Sequence, residues 1–141
     1  MKNYFEFMKA FNPEINFVKE FEYWVILLRE GQNTLGDCLF VLKREISSFG
    51  EMTTSESAEL SLVIQWYEEK CKLLFGAEKF NYIVAMMRDN FVHFHAFPRY
   101  SNSIEKYNVK WIDCRWPRVI QFESISHSRE VLNMIRDDLR D

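Results

Sequence analysis

Two of the chain's three histidines stand one residue apart, in Phe91-Val-His-Phe-His-Ala-Phe-Pro-Arg-Tyr100. Imidazole titrates at about 6.5, so near neutral pH it is available as a nucleophile, an acid–base group or a metal ligand. On a strand, alternate residues share a face. His93 and His95 then project together with Phe91 and Phe97, while Val92, Phe94 and Ala96 project to the other side. A buried imidazole needs hydrogen-bond partners. Three uses of the pair are open: a satisfied structural pair, a metal site, or nucleophilic and acid–base chemistry. Zinc or iron would need a third ligand. His127, Cys38, Cys71 and Cys114 are all remote in sequence, so no resident metal is expected.

Other chemistries are excluded by what is missing. Gly31 and Gly36 have phosphate-loop spacing, but Asp37 and Cys38 follow where lysine and a hydroxyl residue are needed. No GxGxxG, Gly-x-Ser-x-Gly or His-Glu-x-x-His occurs. The net charge is -3, from 18 basic and 21 acidic residues, which weighs against nucleic acid as the main partner. The run Tyr23–Leu28 is far short of the roughly 20 apolar residues that span a bilayer. Glu6 and Lys9 interrupt the start of the chain, so no secretory segment is expected. Three separated cysteines fit reduced thiols and a cytoplasmic location.

The elements that must position the histidines can be read along the chain. With 141 residues, 48% of them hydrophobic and 16% aromatic, one domain with a full core is expected over 1–141. Residues 1–11 suggest a short helix, ended by Asn12-Pro13. Strands are expected at 15–20, 23–29 and 37–43, the second buried on both faces. Thr53 and Glu56 form a capping-box pattern. Leu60, Val63, Ile64, Tyr67, Cys71, Leu74 and Phe75 then make one apolar stripe of a helix over 54–75. Gly76 sits at the position of a left-handed cap. Two further strands, 80–87 and 91–100, are expected to form a tight hairpin about Arg88-Asp89-Asn90. Residues 101–119 look irregular. A second helix closes the chain over 128–139. The fold class is α+β, an antiparallel sheet with a long amphipathic helix packed on it.

The sequence resembles the histidine-triad (HIT) superfamily, whose motif is His-φ-His-φ-His-φ-φ with φ apolar. The motif aligns with Phe91–Phe97, so Phe91 stands at the first triad position. Thr34–Arg44 matches the family's strand before its long helix. Asp113-Cys-Arg-Trp116-Pro117 matches a stretch found in the bacterial branch similar to diadenosine-tetraphosphate hydrolases. The resemblance covers about 17–117.

The resemblance implies a nucleotide hydrolase or nucleotidyl transferase that cleaves at the α-phosphate of dinucleoside polyphosphates or adenylated conjugates. His93 would be the nucleophile, forming a nucleotidyl-histidine, with a backbone carbonyl fixing its other nitrogen. His95 would contact phosphate oxygens or the leaving group. Magnesium could accompany the substrate's phosphates. Phe91 cannot donate, which weakens the support of the pair. It also raises an alternative, a catalytically weak nucleotide-binding or interaction module. Arg29 aligns with a position where many members use Asp or Asn for the ribose; as a donor it suits phosphate instead. Gln32, Asn33 and Thr34 sit in the turn expected to approach the nucleotide, and Arg88 and Asn90 are candidate phosphate contacts. Trp111 and Trp116 are expected to cover the core, and His127 to lie at the surface or cap a helix. Arg99 and Tyr100 suit a surface or ligand role equally. Members of the family are usually homodimers.

Overall fold

A computed structural model describes residues 3–141. Short helices α1 (Tyr4–Lys9) and α2 (Pro13–Asn16) precede strands β1 (Phe17–Glu20), β2 (Trp24–Leu28) and β3 (Cys38–Leu42). The long helix α3 (Thr54–Phe75) follows, then β4 (Lys79–Ile83), β5 (His93–Arg99), the short pair β6 (Ile104–Lys106) and β7 (Val109–Trp111), and α4 (Arg129–Arg140). Five strands form one sheet in the order β1-β2-β3-β5-β4, antiparallel throughout. The histidine strand β5 therefore lies inside the sheet, between β3 and β4.

Alternation sorts the side chains into two layers. On one face, Trp24, Ile26, Leu28, Phe40, Phe94 and Ala96 meet Leu60, Val63, Tyr67, Cys71 and Phe75 of α3. On the other face, Val25, Leu27, Leu39 and Val41 form a smaller core with Phe7 of α1. Strands β2 and β3 are thus buried on both sides, as their unbroken apolar runs imply. Helix α3 begins at the Thr53–Glu56 capping box and ends at Gly76, whose φ is +71°. Arg44 reaches across to Glu56 with bonds of 3.0 and 2.9 Å, fixing the start of the helix to the end of β3.

Three expectations need correction. The strand expected from residue 15 begins only at Phe17, because Pro13 opens a helical turn through Asn16. The tight hairpin about 88–90 is absent: pairing ends at Ile83 opposite His95, and nine residues, 84–92, join β4 to β5. Met86 turns that connection with a φ of +52°, and Met87 lies exposed. The segment read as irregular contains the β6–β7 hairpin, turned at Tyr107 and Asn108 with φ of +60° and +58°.

Candidate functional site

His93 and His95 emerge on the same face of β5, opposite Val41 and Leu39 of β3, with ring centroids 5.0 Å apart. His93 Nδ1 lies 2.7 Å from the Phe91 carbonyl oxygen. A carbonyl only accepts, so the proton sits on Nδ1 and Nε2 keeps its lone pair. Burial pushes the His93 pKa below its ordinary value, against the pull of that carbonyl and of Asp89. His95 is pushed down to about 3, by burial first and then by Arg29 and His93. Both rings are therefore neutral at neutral pH. The Nδ1 of His95 is buried and has no hydrogen-bond partner among the described residues. An unpaired buried nitrogen costs free energy, and such a cost marks a group set aside for another partner.

The surroundings are aromatic. Phe7 and Phe11 of the N-terminal segment lie 5.2 and 5.8 Å from the His93 ring, centroid to centroid. Phe122 packs edge-on to His95 at 4.9 Å, and Phe97 stacks on it at 6.4 Å. A cleft of about 270 Å³ opens beside His95, lined among others by Phe11, Arg29, Gly31, Leu39 and Asp89.

Arg29 enters this cleft between two rings, its guanidinium 5.2 Å from the centroids of both Phe97 and Phe122. Its Nη1 donates to the Gly31 carbonyl at 2.9 Å and to Asn33 Oδ1 at 3.1 Å. Arg29 is thus the one charged residue of the candidate set that stands beside the histidines.

Gln32 and Thr34 are placed differently from the ligand role expected of them. The Gln32 amide donates to the carbonyls of Arg29 and Asp37, and its oxygen accepts from Gly36 and Asp37. All four bonding positions of that amide are filled within the loop. Thr34 Oγ1 donates to Asp37 Oδ1 at 2.6 Å, and Asp37 Oδ2 accepts from the backbone of Asn33 and Thr34. Both residues are buried and shape the loop that carries Arg29. Burial pushes Asp37 up to about 7, against Arg29 and these donors. Gly36 is required here: its φ is +99°, and a Cβ would meet Phe75 and Pro98 at 3.2 Å.

Arg88 is exposed in the β4–β5 connection, and Asn90 is half-buried nearer the strand. Arg99 and Tyr100 are neither surface nor ligand groups. Arg99 Nε and Nη2 bind the two oxygens of Asp113 at 2.7 and 2.9 Å, in a pair almost wholly buried. Tyr100 donates its hydroxyl to the Leu35 carbonyl. Trp111 lies in the core and His127 packs against it, 5.1 Å away. Among the described residues, no three His, Cys, Asp or Glu side chains come together as a metal site. No helix among them is long and apolar enough to cross a membrane.

Sequence reasoning missed Phe7, Phe11, Phe122, Asp37 and Asp89 as neighbours of the site. Asp37 carried a local signal, four residues after Asn33 in a turn; nothing local tells which strand face a distant phenylalanine will cover.

No family model matches the chain, and no curated protein does. Solved structures do. A hypothetical histidine triad nucleotide-binding protein from Sulfolobus tokodaii superposes with a TM-score of 0.68 at 18% identity, over 95% of this chain and 88% of its own. A histidine triad protein from Bradyrhizobium japonicum gives 0.71 at 16% identity, covering 92% of both chains. A diadenosine triphosphate hydrolase from Plasmodium falciparum gives 0.67 at 13% identity, over 90% of this chain and 75% of its own. The chain has the α+β fold of histidine-triad proteins.

Proposed function

We propose that the protein is a nucleotide hydrolase or nucleotidyl transferase working through a covalent intermediate on His93. One observation carries this reading: the Phe91 carbonyl holds the proton of His93 on Nδ1, which leaves a neutral Nε2 as nucleophile beside a second imidazole. In the first step the Nε2 lone pair forms a bond to the α-phosphorus, and the bond from phosphorus to the leaving oxygen breaks. The leaving group departs with that electron pair. In the second, the oxygen of water or another acceptor attacks phosphorus and releases its proton to solvent, the N–P bond breaks, and the pair returns to Nε2. His95, with its unpartnered nitrogen, would hydrogen-bond phosphate or leaving-group oxygen, and Arg29 would offset the charge. Arg88 and Asn90 remain candidates for more distant phosphates.

Dinucleoside polyphosphates and adenylated conjugates are the first substrates to try, since one protein sharing the fold is a diadenosine triphosphate hydrolase. Magnesium would enter only with the substrate's phosphates. A homodimer is what the family resemblance implies, and a cytoplasmic location is what the three separated cysteines suit.

A second reading, a nucleotide-binding or interaction module with little turnover, is favoured by the 3% exposure of His93. Turnover of dinucleoside polyphosphates and adenylated conjugates by the parent protein and by His93→Ala separates the two. Loss of a covalent nucleophile costs several orders of magnitude, each tenfold being about 1.4 kcal/mol of barrier. The proposal expects rapid parent turnover and none above background in the variant. Binding without turnover in either protein supports the module.

A further inference from the structure

We infer that residues 4–11 are a lid over His93, and that substrate reaches the histidine only when this segment swings away about Asn12-Pro13. The inference rests on the reading of His93 as the attacking group. Only 3% of the His93 residue is exposed, which leaves little room for phosphorus to approach its ring. Behind His93 stand β3 and the sheet, which cannot yield without breaking strand pairing. In front of it stand Phe7 and Phe11, and these belong to a separate segment.

That segment is built to move as one piece. Its capping box at Asn3 and Glu6 makes α1 a closed unit. Among the described residues, the backbone hydrogen bonds of 4–11 stay within the N-terminal segment, and none joins the sheet ladder. It is held down by side chains: Phe7 in the small second core, Tyr4 against Phe91, and the Tyr4 hydroxyl on the Leu42 carbonyl at 2.9 Å. At its end Asn12 adopts the left-handed conformation, with φ of +47°, directly before Pro13. Asparagine tolerates that region and proline fixes the next φ, so rotation is confined to one joint. The Asn16 and Glu30 side chains grip the chain at this joint. Lids of this kind admit substrate and then enclose it for reaction.

The test reads access to His93 without any nucleotide, so it fails separately from the proposed reaction. Diethyl pyrocarbonate acylates neutral, accessible imidazole, and peptide mass spectrometry assigns the site. The parent protein should acylate at His93 at least tenfold more slowly than N-acetylhistidine. Phe11→Ala and Tyr4→Phe, which loosen the segment without emptying the core, should raise that rate severalfold. Phe7→Ala should raise it most, provided near-ultraviolet circular dichroism shows a native fold. Phe5→Ala, on the exposed side of the helix, should match the parent. If His93 in the parent reacts as fast as the free amino acid, there is no lid. If Phe11→Ala and Tyr4→Phe stay folded and leave the rate unchanged, the cover is a fixed part of the core and the inference is wrong. Faster acylation in these variants without any nucleotide adduct would keep the lid and reject the nucleotidyl reaction.

Discussion

A backbone carbonyl fixes the His93 tautomer. The Phe91 oxygen does the orienting, whatever side chain position 91 bears. The ring itself is spent elsewhere, against Tyr4 at 5.2 Å and Phe7 at 5.4 Å. Phe91→His therefore puts a smaller, polar ring into an aromatic cluster. It should lower stability by about 1–3 kcal/mol and leave the single-turnover rate no higher. Thermal unfolding and single-turnover kinetics on one variant check both halves; a faster variant of unchanged stability would mean that the triad is merely weakened.

His95 makes a prediction about pH. Its pKa falls from 6.5 in the unfolded chain to about 3 in the folded one. Above pH 6.5 the ring is neutral in both states. Below it the unfolded chain binds the proton first, so stability drains as pH falls. Asp37 runs the other way. Its pKa rises from 3.8 to about 7, so between those values the folded chain holds a proton that the unfolded chain has lost, and acidification adds stability. A simple pH–stability curve mixes the two, whereas a difference between proteins isolates one. The stability of the parent minus that of His95→Gln should shrink from pH 7 to pH 5. A gap that stays constant over that range would show that His95 keeps an ordinary pKa.

Elements were legible where one local rule decided them. Helix α3 was marked at both ends and along its stripe, and it spans the residues that the capping box and Gly76 enclose. Strands β2 and β3 were legible as apolar runs, and alternation on β5 correctly put His93 and His95 on one face. The β6–β7 hairpin was hidden because its mirror-type turn uses Tyr107 and Asn108 where asparagine and glycine are the usual signal. The end of β4 was hidden for a different reason. Tyr82–Met87 is apolar throughout, and such a run does not say where pairing stops. The Asp113-x-x-Trp-Pro stretch was visible, but its work was not. Asp113 ties the end of β5 to the segment after β7 through Arg99. Asp113→Asn would strand a buried guanidinium, and loss of one partner of such a pair costs about 3–5 kcal/mol. Denaturant unfolding should show that loss, and a loss below 1 kcal/mol would mean the pair is not what holds β5 in place.

Across the whole molecule, function depends on bringing together parts that are far apart in the chain. The proposed nucleophile comes from β5, the charge from the loop after β2, and the neighbouring rings from the N-terminal segment and from Phe122 before α4. Phe7 and Phe11 pack on the His93 ring and make the site drier than its polar residues alone suggest. A dry site strengthens charge interactions at the phosphorus. The central claim is the bond between His93 and a nucleotide, and rapid-quench intact-mass spectrometry with excess protein over a dinucleoside polyphosphate tests it most directly. The account predicts a transient gain of one nucleoside monophosphate per chain, mapped by peptide fragmentation to His93 and absent in His93→Ala. Substrate consumed with no adduct at any time point, or an adduct that persists in His93→Ala, would contradict it.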